Sequence, residues 1–439
     1  VKPGDLGAAD LTNKRLLSFY MPLAFSWLCM AAEAPICLAV ISRSQAGDVK
    51  AAAFHVVMAI AIFIEAPVID LLSTSTTLCK TKSNFNVLRK FVLWMILWVT
   101  VVHALVVFTP LYGLVTQGLL NLKPEVANAA QQPLQILALW SAAIGWRRWL
   151  QGILIRAGET KAISFGTLLR VLTVAILALG LHFIFHVDGL TSAAIGLMAS
   201  VAVESAFVHW VSRAVIKENV LSVETGDHLS FSDLARFHFP LTASTSVTLM
   251  TGPLLAWALA VSPNPIQNAA AFSLASSLIW LFRTATFALP EVVIALSSEP
   301  ASRPILQKFC LKVGGVLTFV MAAFWAFGLD AVWIAGVLGA KPELIPLAKM
   351  AFLLSLASPL LGAATSALRG FLTAARATQS RLWAIGAYIS TMALVLIVGV
   401  SVSLPGIITV CLALLAAQIA ELGSMTVSWR RVEKLQTAA

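Results

Sequence analysis

Charge is what this sequence has least of. Only 11% of its 439 residues are Asp, Glu, Lys or Arg, where soluble domains carry about a quarter. A soluble globular fold is excluded on that ground. Cysteine is sparse too: Cys29, Cys37, Cys79, Cys310 and Cys411 are scattered along apolar runs. No two have metal-ligand spacing, which excludes a metal site and argues against a disulfide framework. There is no Walker A loop, no zinc-protease motif and no nucleophile elbow. ATP hydrolysis and covalent catalysis therefore have no residues to run on, so no catalytic residue is assigned and no enzyme is expected. Nor is there a cleavable signal, since the apolar run from Leu16 is too long and reads as retained.

What the sequence has in abundance is apolar length. Hydrophobic residues make up 59% of it, and the mean hydropathy is +0.89. Spanning the hydrocarbon core takes roughly 20 apolar residues. Twelve such stretches can be counted, from 16–42 to 405–427, the fourth at 133–155. They are expected to be helices, because a closed barrel would show short alternating strands instead. The fold class is thus an all-α polytopic membrane protein with twelve transmembrane helices. The net charge of +10 does not signal nucleic acid, since the Lys and Arg fall mostly in short loops. Lys80, Lys82, Arg89 and Lys90 follow the second stretch, and Arg213, Lys217 and Arg236 the sixth. The alternate loops hold few, Arg43 and Lys50 being the exception. By the positive-inside rule both termini are cytoplasmic.

The chain repeats itself. Ala51-Ala52-Ala53-Phe54 returns as Ala269-Ala270-Ala271-Phe272, 218 residues on. The same spacing relates Phe19, Pro22, Leu23 and Ser26 to Phe237, Pro240, Leu241 and Ser244, and Pro35 to Pro253. It also relates Lys90-Phe91 to Lys308-Phe309, Lys123-Pro124-Glu125 to Lys341-Pro342-Glu343, and Leu150, Gly152 and Leu154 to Leu368, Gly370 and Leu372. Six clusters on one gapless spacing define an internal duplication. Each half has an even number of spans, so the halves share one orientation in the membrane, as parallel repeats do. The expected domains are an N-lobe, 1–216, a polar cytoplasmic linker, 217–233, and a C-lobe, 234–439. Two such six-helix bundles around a mid-membrane cavity form an alternating-access transporter.

Charges inside the spans are costly, so each is a candidate for function. Glu33 lies two residues before Pro35, which frees a carbonyl and kinks the helix. Glu65 and Asp70 flank Pro67 and point about 140° apart on a regular helix. These acids are candidates for ion coupling, by H⁺ or Na⁺, or for structural pairing with buried arginine. Arg147, Arg148 and Arg283 form the basic set. Glu65, Arg147 and Arg283 each fall the same distance into a span, roughly 21 Å from its start. Guanidinium groups bind carboxylate and phosphate bidentately, so Arg283, Arg147 and Arg148, with Glu65 beside them, are the candidate substrate-binding set. The competing reading for Arg147 and Arg148 is snorkelling at the cytoplasmic face, with Trp146 and Trp149 as interfacial belt residues. For Arg283 it is structural pairing with Glu65 or Glu291. Arg170, Glu204, Lys312 and Glu421 are set aside as snorkelled or paired, and His103 as a satisfied core histidine.

Pro22-Leu23 and Glu33 in the first span, Pro67 with Asp70 in the second and Gly152-Ile153-Leu154 ending the fourth resemble the MATE-type transporters of the MOP flippase superfamily. Within it the sequence is most similar to the progressive ankylosis (ANK) family. The resemblance implies two six-helix bundles, secondary active export from the cell's inner (cytoplasmic) membrane and no bound cofactor beyond a coupling H⁺ or Na⁺. ANK-like proteins move polyanions such as pyrophosphate, nucleotides or citrate. The expectation is therefore a monomer in membrane lipid exporting small organic or phosphate-type anions, with no nucleic-acid partner. The alternatives are a multidrug cation antiporter and a lipid-linked precursor flippase. Glu33 stands where MATE proteins often have Asp. Gly152 and Gly370 fit close packing rather than a ligand.

Overall fold

The computed structural model describes residues 11–157, 159–224, 229–297, 301–375, 377 and 379–438, and among them there are helices and loops but no strand. Twelve long helical segments follow in order. They are α1 (Asn13–Ile41), α2 (Gly47–Leu78), α3 (Lys82–Phe108), α4 (124–157), α5 (Thr160–Phe183), α6 (Gly189–Asn219), α7 (Phe231–Val261), α8 (Pro265–Ile294), α9 (Ser302–Ala326), α10 (Pro342–Ala374), α11 (Gln379–Ser401) and α12 (Gly406–Ala438). Eleven are long and apolar enough to cross a membrane. The other is α4, the fourth expected span, whose hydropathy is lowered by Gln131, Gln132, Gln135, Arg147 and Arg148. The protein is a multi-pass membrane protein. Part of the expected linker, 225–228, lies outside the described residues.

The duplication is visible in the backbone. Proline cannot donate a helical hydrogen bond, so Pro35 and Pro253 leave carbonyls one turn back without a partner. Helix α1 breaks at Ala32 and α7 at Met250, positions 218 apart. Ala46 and Asn264 start α2 and α8 with left-handed φ of 53° and 52°. π-helical turns recur at Leu114–Leu119 and Trp333–Val337.

The helices group into two compact units that cut the chain differently from the N-lobe and C-lobe division. The first is Ile36–Ala260; the second is Val1–Pro35 together with Val261–Ala439. The first segment of α1 packs on α8, and α7 packs on α2 and α3. Each half thus gives its opening helix to the unit built by the other, and specific contacts hold it there. Tyr20 of α1 joins Leu16, Leu289, Val293 and Phe309 in the core of its unit, and His238 of α7 is buried against Phe91 of α3.

Close helix packing follows the repeat as well. A Cβ on Gly152 of α4 would lie 1.8 Å from Ser75 Oγ and 2.4 Å from the Leu72 carbonyl of α2. On Gly370 of α10 it would lie 2.6 Å from Val293 Cβ of α8. These are equivalent contacts, because Ser75 and Val293 are themselves one repeat apart. At a second crossing the small residue changes sides. Gly145 of α4 faces Ile96 of α3, whereas Gly314 of α9 faces Ala363 of α10.

The tie between α2 and α6 is polar. Lys50 donates to the Asp188 carboxylate, which also caps α6 by accepting from the amides of Leu190 and Thr191. In the second unit Asn268 of α8, the equivalent of Lys50, accepts from the Ile407 amide at 3.1 Å. Burial alone would push the Asp188 carboxyl up. Lys50 and the two amides outweigh burial and hold it below the usual carboxylate range. The folded chain then binds this proton less readily than the unfolded chain. The tie stabilises above the ordinary carboxylate range, near pH ~4, and its contribution is lost as pH falls through the lowered folded value.

Two outcomes are expected. Gly152→Val should lower the unfolding midpoint by the equivalent of about 1–3 kcal/mol or abolish folding, and adding Ser75→Ala should not restore it, because the Leu72 carbonyl remains in the way. Asp188→Asn should lower the midpoint at pH 7, and the difference from wild type should shrink as pH falls below the ordinary carboxylate range and through the lowered folded value. Thermal unfolding in detergent across pH measures both.

Candidate functional site

The unit Ile36–Ala260 buries a cluster of charge built on three helices. Glu204 of α6 is fully buried, and its Oε2 lies 2.6 Å from Arg147 Nη1 of α4, itself 3% exposed. One turn further along α4, the Gln151 side-chain amide donates to Glu204 Oε1 at 3.3 Å. Residues four apart share a helix face, so α4 presents both groups to one carboxylate. From α5, Arg170 Nη1 approaches Glu204 Oε2 at 3.8 Å. One carboxylate therefore serves two arginines.

Arg148 points off to the side of that face, about 100° from Arg147 on a regular helix. It is half-buried, and the charges acting on it are those of Arg147, Glu65, Glu204 and Arg170. Among the described residues its guanidinium makes no hydrogen bond. Glu65 of α2 is buried and engaged within the fold. The structure thus brings Glu65, Arg147 and Arg148 into one neighbourhood. Snorkelling does not describe Arg147, which is buried in an ion pair. Trp149 is no belt residue either: it is 2% exposed and packs on Phe85, with ring centroids 5.3 Å apart.

The remaining candidates lie elsewhere. Asp70 sits at the break within α2, and its charge acts on His238 of α7, while that of Glu65 acts on Arg148. Glu33 opens the second segment of α1, buried and engaged. It belongs with Arg283 to the other unit. Arg283 is half-buried on α8, its guanidinium 5.7 Å from the centroid of the Phe287 ring one turn on. Such a cation–π contact is worth about 0.5–2 kcal/mol. Within its unit no carboxylate of the described residues lies within 4 Å of Arg283, so Glu291 does not neutralise it. In that unit Arg369 and Glu421 pair at 2.9 Å, and an apolar groove of about 520 Å³ runs between α1 and α9, lined by Leu17, Met21, Phe25 and Val316 with Lys312 at its edge.

Arg170 and Glu204 are the functional candidates that the spans alone do not reveal. Each is a single charge in an apolar run, and nothing local says that three helices bring them together. The repeat held a clue: Gln151 is equivalent to Arg369, and both turn out to bind an acid on the sixth helix of their half. His103 is buried, as expected of a core histidine, but only half satisfied: Nε2 is bonded to the Leu134 carbonyl at 3.0 Å, and Nδ1 has no hydrogen-bond partner among the described residues.

No protein-family model matches the chain, and no curated protein matches it by sequence. Solved structures do. The chain is similar to the inward-facing conformation of a multidrug-resistance MATE-family transporter of the MOP superfamily, with a TM-score of 0.75 at 11% identity over 98% of this chain and 100% of that one. A eukaryotic MATE transporter gives 0.67 at 14% identity over 96% and 98%. A MOP-superfamily transporter from Pyrococcus furiosus, described by the reverse polarity of its binding pocket, gives 0.66 at 13% over 97% and 96%. At such identities the likeness establishes the fold, which is that of the MATE transporters.

Removing one partner of a buried ion pair costs about 3–5 kcal/mol, because it strands the other charge. Glu204→Gln should therefore lower the unfolding midpoint far more than Gln151→Leu, which removes one neutral donor to a charged acceptor. Equal, small shifts in the two variants would show that Glu204 does not hold the cluster.

Proposed function

We propose that the protein is a secondary active transporter that moves a small anionic solute by alternating access. The observation that carries this is the imbalance of the buried cluster. Arg147, Arg148 and Arg170 stand against Glu204 and Glu65, and Arg148 has no hydrogen-bond partner among the described residues. An unmatched guanidinium at membrane depth is expensive to keep. A carboxylate or phosphate would meet it with paired, charge-assisted hydrogen bonds. Arg283, held in the other unit by an aromatic face, is a second such group. The MATE fold supports the transport cycle, and the Pyrococcus neighbour, whose pocket of reversed polarity suggests a different function for it, supports a reading other than multidrug export.

Within this reading the cargo class is that of the ANK-like proteins: citrate, pyrophosphate or nucleotide. Export is coupled to H⁺ or Na⁺ through Glu33, Glu65 or Asp70. The protein works as a monomer in the cell's inner membrane, with both termini cytoplasmic. The multidrug-resistance neighbour favours one other reading, cation export with the acids as drug ligands. The groove between α1 and α9 is the feature that a lipid-precursor flippase would need.

Uptake into inside-out proteoliposomes tests this. Labelled citrate, pyrophosphate and ATP are compared with a cationic dye, using Arg148→Gln, Arg283→Gln and Glu65→Gln beside the wild type. Loss of one hydrogen bond to a charged group, about 1.5–3 kcal/mol, should cut anion uptake by roughly tenfold or more in both arginine variants. Dye uptake that survives them but fails in Glu65→Gln would replace the anion reading with cation antiport.

A further inference from the structure

Both units fasten an opening helix to a broken one with the same device. In the first, His238 Nε2 of α7 lies 2.8 Å from the Pro67 carbonyl of α2. In the second, the Tyr20 hydroxyl of α1 donates to the Ala285 carbonyl of α8 at 3.1 Å. Tyr20 and His238 are one repeat apart, and so are Pro67 and Ala285. Each ring also stands edge-to-face on a phenylalanine of the next helix. His238 meets Phe91 at 5.2 Å and 79°, and Tyr20 meets Phe309 at 5.9 Å and 82°. Phe91 and Phe309 are again equivalent. Three residues on three helices thus recur as a unit. Both receiving carbonyls sit at helix interruptions, α2 at Asp70 and α8 where it narrows to a 3₁₀ turn over Ala285–Ala288.

The chemistry of the two latches differs in one respect. A phenol has an ordinary pKa near 10 and an imidazole one near 6.5, so only the histidine can change charge near neutral pH. Its hydrogen bonds fix one of the two ring nitrogens. A carbonyl only accepts, so Nε2 carries the hydrogen. Nδ1 faces the Thr74 hydroxyl, 2.9 Å away on the second segment of α2, which donates to a neutral ring and accepts from a charged one. A second proton on Nδ1 therefore reverses the bond to Thr74 and places a charge on a ring with no exposed surface. A charge added to such a site costs several kcal/mol unless it is paired.

The groups facing the ring are few. From α2 they are the Pro67 carbonyl, Thr74 and Asp70, and Asp70 is the one ionisable side chain whose charge acts on it. Glu65, also on α2, belongs with the arginines. From α3 comes the Phe91 ring, while Arg89 and Lys90 are exposed, as are Asp233 and Arg236 on α7 itself.

We propose that His238 is a proton-binding site. Taking a proton opens the α7–α2 latch, while the Tyr20 latch of the other unit stays closed across the same pH range. Asp70 receives the imidazolium once the latch is open. On the transport reading above, which this extends, protons then act on one unit only. The cycle would have a proton-gated step at the Pro67 break, separate from the arginine cluster.

Hydrogen–deuterium exchange on the full chain in lipid nanodiscs tests this without any transport assay, so its failure is distinct from failure of the anion reading. Rates at pH 5.5 and pH 8 are corrected for intrinsic chemistry, and peptides of α7 are compared with those of α1. An opening linked to one proton changes by up to about tenfold per pH unit. The expected result in wild type is an acid-enhanced exchange of α7 severalfold above any change in α1. In His238→Tyr, which gives the first unit the latch of the second, α7 should stay closed at both pH values. Equal pH responses of α7 and α1 in wild type overturn the proposal with no variant needed. So does an α7 response that persists in His238→Tyr.

Discussion

A broken helix inside a membrane leaves backbone carbonyls that lipid cannot satisfy, and the protein must supply each donor from another helix. Here the donors are few and well placed. His238 and Tyr20 serve the interruptions of α2 and α8. Ser75 donates to the Trp149 carbonyl at 2.8 Å and Thr76 to that of Gly152 at 3.1 Å, tying α2 to α4. His103 is bonded to Leu134, next to the 3₁₀ turn of α4. Every one of these bonds joins two helices. At the interruptions of α2 and α8, satisfying the backbone and fixing the helix arrangement are therefore the same act, and the polar residues responsible are ones that an apolar chain keeps at a cost.

Duplication lets the same problem be seen solved twice. Where the solutions agree, the requirement belongs to the fold. Close approach at Gly152 and Gly370 is shared, although the facing residue is serine in one unit and valine in the other. Close packing over a glycine is shared at Gly145–Ile96 and Gly314–Ala363, although the glycine has changed helix. The start of α2 is tied to that of α6 by an ion pair, and the start of α8 to that of α12 by an uncharged cap. A contact can persist through complete exchange of its chemistry, because packing volume and one satisfied donor are all that the architecture demands.

This explains what could be read from the residues alone. Helix content and the repeat follow from apolar length and one constant spacing, which are properties of sequence. The breaks near Pro35 and Pro67 follow from the missing amide. Glu65, Arg147 and Arg148 stand out because charge at membrane depth needs a reason, and they do share a neighbourhood. The exchange of opening helices was not legible: both α1 and α7 are long apolar helices, and which unit each joins shows only in tertiary contacts, the core around Leu16 and Tyr20 for one and the bond of His238 for the other. Glu204 and Arg170 look like isolated charges until α4, α5 and α6 are packed together. Trp149 reads as an interfacial residue from composition, yet it is interior because α4 turns that face to Phe85.

The departures from symmetry are where function has to be sought. The positions equivalent to Arg147 and Arg148 are Thr365 and Ser366, small hydroxyl residues that need no counter-ion. Arg170 is matched by Tyr388 and Glu204 by Leu422. The second unit keeps a single exchange on this axis, Arg369 with Glu421, in which charge balances one to one. In the first unit the same crossing, joined by Arg170 of α5 and Glu65 of α2, gathers three arginines and two acids. The sister unit builds the same crossing with one arginine and one acid, so the crossing itself does not demand the larger cluster. Of the two copies of this architecture, only the first carries the cost of three buried or half-buried guanidinium groups on this axis.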